Sequence, residues 1–256
     1  PGTHDVCEVM FTSGTTGQPK GVMHTQNTLN AAVDLFDETV CDGVPSPAGT
    51  SAGPGYTFHM ASTLAHQTGY LYGIRVPLTL GGHVVLQDIW DPNEFVDLIE
   101  RHEIQISMGA TPFLADVLAV DRLEERNLES WKRFVCAGAA VPEPVLEQAD
   151  ATLPCVVLPG WGMTECALLT VGRPSDSLTL RLTDGSPLPG NEVRVIDEAG
   201  EPIVGVEGNL QCRGSELFVG YVQGRELTEG CWQGSWFDTG DRALMNDGGY
   251  IRITGR

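Results

Sequence analysis

Eleven residues near the start of the chain, Phe11-Thr12-Ser13-Gly14-Thr15-Thr16-Gly17-Gln18-Pro19-Lys20-Gly21, concentrate anion-binding chemistry. Three glycines let backbone N–H groups turn toward an anion, four hydroxyls add donors, and the Lys20 ammonium supplies a point charge. The composition is poor for helix or strand and suits a loop around a polyphosphate. The order departs from the Walker pattern, because Gln18-Pro19 separates Gly17 from Lys20 and Gly21 follows the lysine. A P-loop NTPase is therefore not the first reading. A polar surface loop would share the composition, but it places no demand on order.

Three later segments bear side chains that a nucleotide site needs: Gly160-Trp161-Gly162-Met163-Thr164-Glu165, Trp236-Phe237-Asp238-Thr239-Gly240-Asp241, and Gly249-Tyr250-Ile251-Arg252-Ile253-Thr254-Gly255-Arg256. Singly, each has a plainer explanation: Thr164-Glu165 as a helix start, Thr239-Gly240-Asp241 as a turn, Trp161 as a core aromatic. Together with the loop at 11–21, and in this order, they resemble the adenylate-forming superfamily. That superfamily holds acyl-CoA synthetases, the adenylation domains of nonribosomal peptide synthetases, and luciferases. The four segments resemble its phosphate-binding signature, its aromatic-Gly-x-Thr-Glu segment, its Thr-Gly-Asp motif and the strand running into its Gly-Arg hinge. The segments Asp184–Gly190 and Glu207–Leu210 also resemble it, with Asn209 where the family pattern has Glu.

The resemblance implies ATP-dependent activation of a carboxylic acid. Hydroxide is a poor leaving group, so the acid is first converted to an acyl-adenylate by in-line displacement at the α-phosphate. Such a step needs positioning and charge neutralisation more than a covalent catalyst. Thr12, Ser13, Gly14, Thr15, Thr16, Gly17 and Lys20 would hold the β- and γ-phosphates. Glu165 would supply a carboxylate for Mg²⁺, and Thr164 would donate to the α-phosphate. Asp241, an acceptor-only side chain, suits two ribose hydroxyls, and the planar fork of Arg256 would reach ribose or phosphate. Gly138, Ala139 and Ala140 lack bulk and would let an adenine ring lie against the backbone, with Trp161 and Gly162 covering another part of the nucleotide. Lys20, Thr164 and Glu165 are the expected catalytic set; ATP, Mg²⁺ and CoA are the implied cofactors.

Within the family, Met60–Gly69 resembles the acyl-CoA synthetase segment in which an aromatic or His side chain gates the acid pocket. His66 takes that role here; a helix-start histidine with a structural hydrogen bond is the alternative. Peptide synthetases hold an amino group with an early aspartate, and Tyr56–Ser62 contains none. A pocket near His66, Tyr70, Gly160, Trp161 and Met163 implies a hydrophobic fatty, alicyclic or aryl acid, passed to CoA as a thioester. The family continues past the hinge into a small lysine-bearing domain and begins well before the phosphate loop. The chain is therefore expected to be a fragment of the large N-terminal domain, inactive or weakly active alone, with the C-terminal domain of the same protein as a partner. A non-catalytic nucleotide- or acyl-binding module, or a scaffold, is the competing reading.

Composition fits a globular piece. The chain has 256 residues, 41% of them hydrophobic, and no apolar run approaches the roughly eighteen residues that span a bilayer. The formal charge of −19 argues against nucleic acid as partner, which demands a basic footprint. Seven cysteines, an odd number without a C-x-x-C pair, predict reduced thiols in a cytoplasmic enzyme. Cys7, Cys136 and Cys155 read as small core residues.

The elements that must position these side chains follow from periodicity. Strands are expected over Val6–Thr12 and Gly21–His24, flanking the loop, and a helix over Asn27–Thr39. Cys41–Pro54, rich in Gly, Pro, Ser and Ala, reads as an exposed loop. Then helices 67–80, 91–102, 111–119 and 142–150 alternate with strands 82–86, 104–108, 133–137 and 154–158; Asp91-Pro92 is an N-cap followed by proline. This alternation predicts an α/β fold, a mostly parallel sheet with flanking helices. The segments 136–140 and 160–165 are expected just after strand C-terminal ends. Beyond 170 helical periodicity disappears, and strands Glu192–Asp197, Gly208–Arg213, Leu217–Tyr221 and Tyr250–Thr254 predict a β-rich subdomain. The expected organisation is 1–55, 56–170 and 171–256.

Overall fold

A computed structural model describes residues 2–12, 19–46 and 55–256. The expected strands around the glycine-rich loop form: β1 (Val6–Thr12) and β2 (Lys20–Thr25) pair antiparallel. Thr12 and Lys20 face each other as the last rung. Ser13, Gly14, Thr15, Thr16 and Gly17 lie outside the described residues. α1 (Gln26–Thr39) follows at once, capped by Thr25 and Thr28, whose hydroxyls accept each other's backbone N–H.

Next come β3 (Thr57–Met60), a wide π-helix over Thr68–Arg75, α2 (Val76–Thr79), β4 (His83–Leu86), α3 (Pro92–His102), β5 (Ile106–Gly109), α4 (Thr111–Leu118), β6 (Arg133–Ala137), α5 (Glu143–Thr152), β7 (Val156–Met163) and β8 (Ala167–Val171). Asp91 caps α3 as expected, its carboxylate accepting from Asn93 and Glu94 N–H ahead of a first-turn proline. The helix expected over 67–80 forms without a break, wound as the π-helix over Thr68–Arg75 and as α2 over Val76–Thr79. It packs closely on what precedes it: a Cβ on Gly69 would lie 2.1 Å from the Thr63 carbonyl oxygen, and one on Gly73 2.6 Å from the Met60 side chain at Cγ. Of the segment expected as an exposed loop, Cys41 and Val44 are buried, and the carbonyls of Asp42 and Pro45 accept from Arg133 and Gln105.

After α6 (Leu178–Arg181) the chain runs through β9 (Ser186–Pro187), β10 (Glu192–Ile196), β11 (Pro202–Ile203), β12 (Gly208–Arg213), β13 (Gly220–Tyr221), α7 (Arg225–Gly230), β14 (Trp232–Gln233), β15 (Trp236–Met245) and β16 (Ile251–Gly255). Short helices α6 and α7 thus interrupt a region expected to lack them. Of the strand expected over Leu217–Tyr221, Gly220–Tyr221 pairs, with β2.

Three sheets result. The largest has the order β4-β3-β5-β6-β7-β8-β9, parallel from β4 to β7 and antiparallel beyond. Both faces are covered. Val135 and Leu158 pack with α1 and the π-helix, whereas Phe134, Cys136 and Val157 pack with α3, α4 and α5. A second sheet, β11-β10-β12-β15-β14 with β16 on β15, is antiparallel; the third is β1-β2-β13. A third core joins the sheets: Val22, Trp161, Cys166, Leu169, Cys212, Phe218 and Phe237 pack together, where the N-terminal strands, the β7–β8 hairpin and the C-terminal sheet meet.

All seven cysteines are free thiols. Cys136 and Cys155 are buried as expected, but Cys7 is exposed, because β1 is an edge of its sheet.

Candidate functional site

β7 runs through Met163, so Gly160–Met163 lie within a strand and not after its end; Thr164, Glu165 and Cys166 form the tip of a tight hairpin with β8. The helix start suggested by Thr164-Glu165 does not form. The turn needs Ala167 at φ 52°, and a Cβ on Gly162 would sit 1.8 Å from the Ala167 carbonyl oxygen, so a side chain at 162 has no place.

The tip is held from three directions. His24, fully buried on β2, places Nε2 2.8 Å from the Thr164 carbonyl and Nδ1 3.1 Å from the Thr28 hydroxyl. A carbonyl can only accept, so Nε2 carries the proton and Nδ1 is left to accept. Burial pushes the ring's pKa below its ordinary value, which keeps it neutral. The Phe218 N–H donates to the Glu165 carbonyl at 2.7 Å. The Tyr221 hydroxyl, on β13, donates to Glu165 Oε1 at 2.8 Å, and Lys20 Nζ stands 5.4 Å from the centre of the Tyr221 ring. Burial, reinforced by the Glu165 charge, raises the Tyr221 phenol, so it remains a donor. Lys20, on β2, thus lies over the ring whose hydroxyl holds Glu165.

A second set adjoins the first. Trp161 Nε1 donates to Asp241 Oδ2 at 3.1 Å, and Arg256 Nε lies 3.4 Å from Asp241 Oδ1. Asp241 is aimed there by a bulge. Asn209 pairs with Arg242 and Gln211 with Asp238, so three residues of β15 stand opposite one of β12. Gly240 takes φ 73° in that bulge, and the Thr239 hydroxyl donates to the Leu210 carbonyl and accepts from Asp241 N–H. Burial raises the Asp241 carboxyl, against the lowering contributions of Trp161 and Arg256. Gly138, Ala139 and Ala140 follow β6 as an exposed shelf. Nothing lies within 4 Å of a Cβ placed on Gly138, and Thr111 Oγ1 reaches the Ala139 and Ala140 carbonyls at 3.2 and 3.4 Å.

His66 is exposed at the start of the π-helix, where its Nδ1 accepts from Thr68 N–H at 3.2 Å. Tyr70, one turn on, is half-buried, as is Met163; Gly160 and Trp161 are buried. Among the described residues, no hydrogen bond joins His66 or Tyr70 to the hairpin. The tie from this helix is Tyr72, whose hydroxyl accepts from Leu168 N–H at 2.8 Å. A cavity of about 460 Å³ behind β13 touches the site through Tyr221 and is otherwise lined by Met23 and the 219–229 segment. It is separate from the Trp161–Asp241 side.

Among the described residues no cluster of three or more His, Cys, Asp or Glu side chains could hold a metal ion. Glu165 offers one carboxylate, with Oε1 already engaged by Tyr221. That suits Mg²⁺ as a cation that keeps waters and shares phosphate oxygens with one carboxylate. Sequence reasoning missed His24 and Tyr221. Tyr221 had a signal, since it closes the Leu217–Tyr221 run, but its partner Glu165 is 56 positions away; His24 had none.

The residue pattern of the AMP-binding enzyme family matches residues 1–222, and the chain belongs to that family. It is 33% identical over 255 residues to a medium-chain fatty-acid–CoA ligase of Escherichia coli, covering 98% of this chain and 43% of that protein. It is 29% identical to a benzoate–CoA ligase of Thauera aromatica, over 98% of this chain and 46% of that one. The fold superposes on ATP-bound MatB from Rhodopseudomonas palustris with a TM-score of 0.87 at 26% identity, covering all of this chain and 49% of that one. The chain thus spans about half the length of the relatives it matches. No helix among the described residues is long and apolar enough to cross a membrane.

Proposed function

We propose that the protein of which this chain is part is an acid–thiol ligase. A carboxylate oxygen attacks the α-phosphorus of ATP, pyrophosphate leaves, and the thiol of CoA then displaces AMP from the acyl-adenylate. The observation that carries the reading is the convergence of Lys20, Tyr221 and Glu165 with Trp161, Asp241 and Arg256 around one hairpin, contributed by β2, β7, β13, β15 and the residue after β16. In this reading Thr12, Ser13–Gly17 and Lys20 bind the outer phosphates. Thr164 donates to the α-phosphate. Glu165, oriented by Tyr221, takes up the Mg²⁺ that accompanies the nucleotide, an ion that neutralises phosphate charge when bound. Asp241 and Arg256 hold the ribose, while Trp161, Gly162 and the Gly138–Ala140 shelf receive the rest of the nucleotide.

The relatives named act on a medium-chain fatty acid and on benzoate. This supports a hydrophobic acid for the present protein, bound near His66, Tyr70, Gly160, Trp161 and Met163. The test is ATP–pyrophosphate exchange with alkyl, alicyclic and aryl acids, run on this chain and on the full-length protein. Exchange that requires one of these acids is expected in the full-length protein. A folded full-length protein that binds ATP without exchange would overturn the ligase reading in favour of a binding module.

A further inference from the structure

A second buried polar cluster lies at the root of the segment that grips Glu165. Glu216 is 1% exposed and Asn191 8%. Asn191 Nδ2 donates to Glu216 Oε1, while the other atom of each group, Glu216 Oε2 and Asn191 Oδ1, is buried without a partner. Both orphans crowd one spot: a Cβ on Gly214 would be 2.3 Å from Asn191 Oδ1 and 2.8 Å from Glu216 Oε2. The two oxygens therefore lie no farther apart than the sum of those distances. Two enclosed acceptors with no donor between them are unfavourable. One proton resolves both. Placed on Glu216 Oε2, it donates to Asn191 Oδ1 and closes a reciprocal acid–amide pair.

We propose that Glu216 is a positioning residue for Glu165 and works as a neutral carboxylic acid paired reciprocally with Asn191. The positioning half rests on the reading of Glu165 given above. From Glu216 the chain passes directly to Leu217 and Phe218. Phe218 N–H and Tyr221 OH are the donors to Glu165, and all three side chains sit in the core that contains Cys166. Repulsion at the 191–216 pair would displace that segment and with it both grips on Glu165. The titratable groups that face Glu216 are Tyr72, on the π-helix, and Cys166, at the hairpin tip; neither is a cation. Its own backbone N–H and Asn191 favour the anion, but burial outweighs them and raises the carboxyl to about 7.

Glu216→Gln separates a neutral role from a charged one, because a glutamine amide forms the reciprocal pair with Asn191 permanently. In the folded protein Glu216 titrates near 7, and in the unfolded chain near the ordinary 4.5. Between these values the Glu216 site binds more protons in the folded state, so its contribution to stability falls as pH rises through that window. In the full-length protein, the Tm of Glu216→Gln relative to wild type should climb from pH 5 to 7 and level off above about pH 8. Mg-ATP affinity at pH 7 should match or exceed wild type. Glu216→Ala should lower Tm at every pH and weaken Mg-ATP binding by about tenfold, as one lost buried hydrogen bond does. A constant Tm difference between pH 5 and 8 overturns the neutral acid. Loss of Mg-ATP affinity in Glu216→Gln equal to that in Glu216→Ala overturns it as well. Wild-type protein that does not bind Mg-ATP refutes the nucleotide reading and the positioning role with it, while the melting series still decides the acid–amide pair.

Discussion

The hairpin tip at Thr164–Cys166 and the turn at Thr63–His66 are fixed by opposite means. The tip is held by His24, Phe218 and Tyr221, all more than 50 positions away in sequence, and it is buried. The turn is held by its own neighbours: Ala65 N–H donates to the Thr63 hydroxyl, His66 N–H to the Thr63 carbonyl, and Tyr70 N–H to the His66 carbonyl, with Thr63 to His66 exposed. A group held by distant elements cannot move without disturbing two sheets. A locally folded turn can change side chains at little cost to the rest. In the proposed ligase the rigid tip would face the nucleotide and the local turn the acid, an arrangement that places preorganised polar groups where charge would develop in the reaction.

The largest way to break the comparison is Glu165→Gln. Removing the charge from the rigid side should lower ATP–pyrophosphate exchange by about 100- to 1,000-fold and weaken Mg-dependent ATP binding. Unchanged Mg-ATP affinity in a folded variant would remove Glu165 from the metal's environment. Tyr221→Phe sharpens the same point. It deletes one hydrogen bond to a charged carboxylate and should cost about tenfold or somewhat more in kcat/KM for ATP, with a smaller change in the KM for the acid.

Acid pH probes the rigid side through His24. Its folded pKa is depressed, so its contribution to stability is present above the unfolded value of 6.5 and is lost as pH falls below it. Each unit of depression is worth about 1.4 kcal/mol. Burial likewise holds the His59 ring down, to about 4, and adds to the same loss. Denaturant unfolding at pH 7 and pH 5 should show a less favourable change on acidification in wild type than in His24→Gln, since the opposing gain from Glu216 and the loss from His59 are common to both. Equal changes would mean that His24 does not titrate differently on folding.

The smallest effect is expected at the exposed turn. His66→Ala should leave stability within about 0.5 kcal/mol and ATP affinity unchanged, while shifting relative kcat/KM among acids by a few-fold. A collapse of ATP binding in this variant would erase the distinction between the two regions.

Much of the frame was legible because its determinants are local. Asp91-Pro92 announces α3, alternating strands and helices announce the parallel sheet, and strand-like runs on either side of the glycine-rich loop announce β1 and β2. Thr57–Met60, by contrast, is four residues long, too short for periodicity to mark as β3. Thr164-Glu165 read alone as a helix start because the residues that force a hairpin act by close approach: Gly162 has no room for a Cβ beside Ala167.

The sequence by itself determined the order of four chemical segments, the elements that flank them, and the family they define, since each is encoded within about ten neighbouring residues. Tertiary structure alone decided which side chains meet. Trp161 reaches Asp241 across 80 positions, and His24 reaches Thr164 across 140. Those meetings depend on how the sheets pack together, on the bulge at Gly240 and on the two residue pairs by which β13 joins β2. Contacts so distant along the chain leave no periodic trace in it, because they are set by packing between elements and not by the conformational preference of either one.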